Sequence, residues 1–436
     1  MRTAGTLEHP DVSGLARSNQ KLRGGVDMDK IMQVATVDGT LTRQIPALLR
    51  RIREKGLALT CISARPTNPS FFDEIGADHV SLHLTRRITP MIDLSVLLKL
   101  YFLFRRERPI VVHTHTPKAN LLGQLAAYLA RVPVRIVTIH GFYFTPDTPY
   151  LRRVLLIWME RWTVRWSQLL FLVNEEDCAS AIRLRICTPE KVRLLTGGNG
   201  IDLSRFNRRA TSADQKRLVR NELSIPDTAK VVGFVGRLVR TKGLSDLFTA
   251  AQMVRTRIPS VVFLIVGPVD AERSDAFDPA SELPRSVAGI CRFTGFREDT
   301  PALYAIMDVF VLPSYREGMP MSLMEAAAMA IPSVVTDIRG CRAIVEHEQS
   351  GLVVPVHSPQ KIATAVIRLL EDQELARRLG ENAEATAQAR FDAQTSAESV
   401  VAEYTRLLSE SIRRPTPHVS AGTPQADAKL GAIGGQ

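Results

Sequence analysis

Two glutamates eight residues apart, Glu317 and Glu325, stand where an apolar stretch, 309–312, gives way to a helix-like run. A carboxylate accepts hydrogen bonds from two neighbouring hydroxyls at once, so the pair suits a polyol. Gly318 lets the backbone come close to a ligand. Pro320 fits the first turn of a helix, where its missing N–H costs little. The free N–H groups of such a helix start favour a phosphate. Phosphate and polyol together describe a nucleotide sugar. A glutamate pair at this spacing is equally common on a solvated helix face, so the weight comes from upstream. There Val231 to Val235 reads as a buried strand, followed by a turn with two cations, Arg237 and Lys242, between Gly236 and Gly243. These cations carry the charge that a diphosphate needs. Taken alone, two solvated cations after a strand would look the same.

Together these motifs resemble the retaining glycosyltransferases of family 4, which have the GT-B fold. Asn199, Gly200, Ile201, Asp202 and Phe206 add to the likeness at the junction between two halves. Within that family the chain is most similar to bacterial enzymes that extend lipid-linked glycans for surface polysaccharide. That closer likeness rests on three segments: Arg86 to Asp93, His113 to Asn120, and Val137 to Gly141. It covers roughly residues 29 to 410. The alternatives from other classes are a nucleotide-sugar 2-epimerase, which shares two such domains, and a non-catalytic binding module. The epimerase would not need the glutamate pair.

The resemblance implies a role for each residue. The donor, expected to be a UDP-sugar, would meet Gly39, Arg237, Lys242, Phe296, Glu317, Gly318, Met319, Met321, Ser322, Leu323 and Glu325. Glu325 would hold the ribose and Glu317 the transferred sugar, while Phe296 would cup the base, although a core aromatic fits that position as well. His140 and Glu317 are the expected catalytic residues. His140 ends an apolar strand and precedes Gly141; a satisfied core histidine is the plainer alternative. A covalent glycosyl-enzyme needs a carboxylate beneath the anomeric carbon. Front-face displacement with retention is expected instead, the leaving phosphate helping to deprotonate the acceptor. Stabilising the charge on that phosphate is the main electrostatic task, and Arg237, Lys242 and the helix start at 320–323 can do it without a metal. Asp-x-Asp is absent beside them. No metal and no cofactor are expected.

His113 and His115 alternate on a strand end, so both face one side. Without a third ligand they do not read as a metal site. His115 and Lys118 are placed at the acceptor's diphosphate, with structural roles as the alternative, and Arg43 is a further candidate there. Many family members carry two glycines in the loop after the first strand. Here the loop Val37 to Thr40 has one, Gly39.

The elements that must position these groups follow from pattern. Short apolar strands alternate with amphipathic helices in both halves, as doubly wound parallel sheets require. The expected fold is α/β: GT-B, two Rossmann-like domains facing a central cleft, with a C-terminal helix crossing back to the first. The boundaries are an acceptor-binding domain at 29–207, a nucleotide-sugar-binding domain at 208–392 and a crossover helix at 393–412. Disordered tails are expected at 1–28 and 413–436. The charged stretch 208–230, with Pro226, reads as the linker or the residues just after it. At 436 residues the chain is long enough for two such domains.

Composition excludes several classes. Hydrophobic residues make up 45% and charged residues 23%, an ordinary globular mix. Five scattered cysteines show no ligand spacing and read as reduced thiols in the cytosol. No signal peptide and no run of 18 apolar residues is visible, so no spanning helix is expected. Net charge is +11, of which residues 84–108 carry +4 and residues 150–168 carry +3. Such segments suit an anionic membrane surface. Nucleic acid would attract them too, but no nucleic-acid motif accompanies them. Trp158, Trp162 and Trp166 recur every four residues, one helical stripe flanked by Arg161 and Arg165. Tryptophan with arginine marks an interfacial helix, while packing against the sheet is the alternative for any one of them. The expected location is cytoplasmic, at the inner face of the membrane.

Overall fold

The computed structural model describes residues 29–145, 148–271 and 273–413. The tail expected at 1–28, and that at 413–436 beyond Arg413, lie outside the described residues. Two sheets account for the strands. The first holds β1 (Lys30–Val34), β2 (Ala58–Ser63), β3 (Asp78–Ser81), β4 (Val111–Thr114), β5 (Val134–Ile139), β6 (Leu169–Leu172) and β7 (Val192–Leu194), in the order β3-β2-β1-β4-β5-β6-β7. The second holds β8 (Lys230–Val235), β9 (Val261–Val266), β10 (Cys291–Gly295), β11 (Val309–Leu312), β12 (Ser333–Thr336) and β13 (Leu352–Val354), in the order β10-β9-β8-β11-β12-β13. Every pairing in both sheets is parallel.

Parallel strands need crossover connections, and helices fill them. Central strands are therefore covered on both faces and read as unbroken apolar runs. All six residues of β9, VVFLIV, are buried. This is why the apolar runs located the strands, while their alternation was weak. In each sheet the order reverses beside the first strand, β1 or β8. Open α/β sheets bind ligands at that switch point, beyond the carboxyl ends of the strands.

The chain passes between the sheets earlier than its charge suggests. Ile201 and Phe206 already belong to the second core. The charged stretch 208–230 contains a helix, Ala213–Glu222, started by a capping box of Ser212 and Gln215. Val219 and Ile225 anchor it to the second core, so its charges are the solvated face of a packed helix. The return passage lies against the outward one: Ile201 pairs with Asp392. A Cβ on Gly197 would sit 1.9 Å from the Arg390 carbonyl oxygen, which is why a glycine stands there. The final helix, Ala393–Arg413, then lies on the first sheet. Its Ala397, Val400, Val401, Tyr404 and Leu407 join the core around Ile31 and Leu48.

Candidate active site

The expected donor side is built by the turn after β8 meeting the loop after β11. Gly243 has φ 73°, and a Cβ there would meet the Pro313 carbonyl oxygen at 1.9 Å. That close approach brings the 3-10 turn Arg240–Lys242 against residues 313–317. Lys242 Nζ forms an ion pair with Glu317 Oε1, and both side chains are largely buried, at 16% and 13% exposure. Ser314 Oγ donates to the same carboxylate oxygen at 2.8 Å. An ion pair this dry is costly to desolvate, and its second hydrogen bond offsets part of that cost.

Three residues on, the helix Met321–Ala328 begins with Pro320 as its N-cap, and no side chain caps it. Pro320 thus precedes the first turn. The helix start carries partial positive charge. Met319, Met321 and Ser322 are partly exposed there. Leu323 departs from expectation: its side chain lies wholly in the second core and its N–H bonds to the Pro320 carbonyl at 3.2 Å. Glu325 is held by the Tyr304 hydroxyl, which donates to Oε2 at 2.8 Å. Burial pushes the Glu325 carboxyl up to about 7, against the lowering influence of that hydrogen bond and of Arg205. The junction motif supports this arrangement. Asp202 accepts from the Ser204 and Arg205 N–H groups, and the following Phe206 ring packs edge-on against Tyr304 at 6.0 Å.

Across the cleft, β5 delivers His140. Its Nδ1 lies 3.3 Å from the Asn199 amide nitrogen, which donates to it and leaves the proton on Nε2. That Nε2 is buried and has no partner among the described residues. Burial lowers His140 to about 4, so the ring is neutral near pH 7. The two halves touch here. A Cβ on Gly318 would lie 1.8 Å from the His140 carbonyl oxygen, and one on Gly141 (φ 111°) would lie 2.5 Å from Gly318 Cα. Asn174 Nδ2 donates to the Gly318 carbonyl at 2.9 Å. Arg339 reaches Asp177 and the Phe144 carbonyl, and Arg342 reaches Glu176, so four side chains lock the same side of the cleft.

The expected acceptor residues fall elsewhere. His115 is 2% exposed; its Nε2 meets Gln33 Oε1 at 2.7 Å and its ring stacks on His140 at 5.6 Å. It backs His140 and is closed off from solvent. His113 joins Tyr404 of the final helix at 2.6 Å and Thr138 at 2.7 Å. Burial lowers both imidazoles, His113 to about 3, because charging either would bury an uncompensated cation. Lys118 Nζ is bound to Asp93 Oδ1 at 2.7 Å, to Thr85 Oγ1 at 3.0 Å and to the Arg87 carbonyl, so it clasps the loop 85–89 and is not free for a phosphate. Arg43 lies over the Phe296 ring, 4.4 Å from its centroid, which joins the two halves at the expected base-binding aromatic. Phe296 is 48% exposed, so it is not a core residue. Gly39 has an ordinary φ of −59°, and a Cβ there would meet nothing within 4 Å. The position is open to a ligand without needing glycine's backbone freedom.

Asn199, Ser314, Tyr304 and Asn174 belong to this site but were not singled out as ligands. Asn199 stood in a quoted motif without a role; the others carry no local signal. Among the described residues no group of three or more His, Cys, Asp or Glu side chains stands where it could hold a metal.

Glu325 makes the site sensitive to pH. Its folded value of about 7 stands above the unfolded value near 4.3, so this residue destabilises the fold progressively as pH rises through that window. Glu325→Gln is expected to exceed the parent's stability by only about 1 kcal/mol at pH 5 and by roughly 3 to 4 kcal/mol at pH 8. At pH 8, where the parent's carboxyl is ionised, it is expected to weaken donor binding by about tenfold or more, from loss of a charged acceptor. Thermal melts and nucleotide titrations at both pH values check this; equal stability at pH 8 would contradict it.

Comparison with known proteins gives a family. A model described as glycosyl transferases group 1 matches residues 215–386. One described as a glycosyl transferase 4-like domain matches residues 39–198. An Escherichia coli UDP-Gal:alpha-D-GlcNAc-diphosphoundecaprenol alpha-1,3-galactosyltransferase is 30% identical over 319 residues, 73% of this chain and 80% of the relative. The Staphylococcus aureus capsular polysaccharide biosynthesis glycosyltransferase CapM is 26% identical over 377 residues, 85% and 97% of the two chains. Among solved structures, Anabaena HepE in complex with UDP and glucose superposes with a TM-score of 0.74 at 19% identity, covering 87% of this chain and 100% of that one.

Proposed function

The chain belongs to the family 4 glycosyltransferases of GT-B fold, and on that premise we propose that it moves a sugar from a UDP-sugar to a glycan carried on a polyprenyl diphosphate, in surface polysaccharide synthesis. Membership in this family sets aside the 2-epimerase alternative. The observation that carries the reading is the meeting of Lys242 and Glu317 beside the uncapped helix Met321–Ala328, directly opposite His140. The diphosphoundecaprenol acceptor in the name of the Escherichia coli relative supports the choice of acceptor.

In this mechanism the bond from the sugar's anomeric carbon to the β-phosphate oxygen breaks. The acceptor hydroxyl oxygen bonds the same carbon on the same face, and its proton passes to the departing phosphate. Charge grows on that phosphate, and Arg237, Lys242 and the helix start stabilise it without a metal once the diphosphate takes the place of the carboxylates they now pair with. Glu317 accepts from the sugar's hydroxyls, and His140 Nε2–H donates to one. Glu325 accepts from the ribose, and Phe296 stacks on the base.

The acceptor's lipid requires a membrane, and the first half offers a surface for one. No described helix is long and apolar enough to cross a bilayer. The helices Pro90–Glu107 and Tyr150–Trp166 both pack on Pro117–Leu129 and so share one side of the sheet. They expose Met91 at 82%, Leu151 at 81% and Trp158 at 55%, amid the basic residues of the two charged segments. Partial insertion of these side chains, with attraction of the cations to anionic headgroups, gives peripheral contact.

UDP release from a panel of UDP-sugars, with and without lipid extract from the native host, tests the reading. Release specific to one sugar and raised by the extract is expected. No release with any donor would overturn it. Sedimentation with anionic vesicles tests the membrane face, and Trp158→Ala with Met91→Ser is expected to reduce it; unchanged sedimentation would remove this face from the proposal.

A further inference from the structure

Arg86 and Arg237 come from opposite halves of the molecule and converge on one carboxylate oxygen. Arg86 Nη1 lies 2.8 Å and Arg237 Nη1 2.6 Å from the same Asp270 Oδ2. Asp270 follows β9 and bridges the two halves through these arginines, with 12% side-chain exposure. Burial raises its carboxyl, but the hydrogen bonds from Arg237 and Arg86 outweigh that and hold it below the ordinary range. Two guanidinium charges thus face one negative charge. Each guanidinium makes a single hydrogen bond among the described residues and keeps its remaining donors unused. Counting the described residues that bond one another here, the set is under-neutralised, and its unused donors suit an anion with more charge and more oxygens than a carboxylate.

The presentation of Arg86 is also built. The Lys118 clasp holds Thr85, the Arg87 carbonyl and Asp93, and Asp93 in turn accepts from the Thr89 N–H and hydroxyl at 3.0 Å each. Lys118 and Asp93 are nearly buried, so the loop is fixed on both sides of a solvent-facing arginine. Holding a loop this firmly pre-organises the one cation it aims into the cleft.

We propose that Arg86 and Arg237 form a cross-cleft clamp for a substrate diphosphate and that Asp270 is an internal stand-in, which the diphosphate displaces. The inference rests on the donor reading above only for which substrate brings the diphosphate. Arg237 is shared with the donor site, and Arg86 is the added ligand. Displacement of Asp270 exchanges an ion pair between the halves for a phosphate bridge between them, so cleft closure survives binding.

Calorimetric titration of inorganic pyrophosphate and of UDP tests this. Asp270→Asn is expected to bind both about three- to tenfold more tightly, since it removes a competing carboxylate whose partly exposed pairs are individually weak. In that background Arg86 has lost its charged partner and keeps at most a neutral amide acceptor, so Arg86→Gln reads chiefly its ligand contact. Weaker UDP binding in the double variant assigns the clamp to the donor's diphosphate. Unchanged UDP binding with weaker inhibition by farnesyl diphosphate assigns it to the acceptor's. Either supports the clamp. If Asp270→Asn and the double variant leave pyrophosphate, UDP and farnesyl diphosphate all unchanged, Asp270 is a plain ion-pair bridge and the proposal fails. If the parent ignores UDP while pyrophosphate still tightens in Asp270→Asn, the donor reading fails and the clamp stands.

Discussion

Lys242→Ala is expected to lower turnover by about a hundred- to a thousandfold, the scale seen when one preorganised donor to a developing negative charge is removed. The loss should appear in kcat and kcat/KM together, because the charge on the leaving diphosphate exists fully only as the bond breaks. Lys242 is also the partner of Glu317, which is only 13% exposed. Its removal strands a carboxylate, so stability falls as well. The double variant Lys242→Ala with Glu317→Gln separates these effects. It is expected to recover the melting temperature, since no unpaired charge remains, while turnover stays well below that of Glu317→Gln alone. Recovery of turnover with stability would show that the lysine served only the fold.

Gly318→Ala is expected to abolish at least about 99% of activity, because misplacing reacting groups by about 1 Å costs on the order of a hundredfold. The added Cβ would lie 1.8 Å from the His140 carbonyl oxygen, 2.5 Å from its carbon and 2.9 Å from Gly141 Cα. All three are backbone atoms, so no side-chain rotation relieves the clash. His140 belongs to the first half and Gly318 to the second, so the least costly relief is to open the cleft. Each half keeps its own core, so the melting temperature should change little while small-angle scattering reports a larger radius of gyration. Full activity at an unchanged radius would refute this account of the junction.

Much of the architecture was legible because its signals are local. Apolar runs such as 230–235 and 261–266 locate parallel strands, which are buried on both faces. Gly236 to Gly243 and Glu317 to Glu325 were readable as site motifs, since a tight turn and a helix start each need particular residue types within a few positions. Charge misled at 208–230, where a solvated helix face looks like a linker. Histidine misled at His115: alternation says which side of the strand it faces, but not that Gln33 and the rest of the core already fill that side.

The sequence by itself determined the two sheets, the cations, the glutamate pair and the tryptophan stripe. Each of these follows from periodicity or from the backbone demands of a short segment. Only the tertiary structure decided which charges meet. Lys242 pairs with Glu317 at a separation of 75 residues, and Arg86 with Asp270 at 184. Tyr404 reaches His113 across 291. Local pattern carries no information about such pairs, because they depend on how two separately folded sheets and a returning helix are set against one another. The same holds for exposure. Spacing put the three tryptophans on one stripe, but how the described neighbouring helices cover it decides that Trp158 and Trp162 face outward while Trp166 is half-buried.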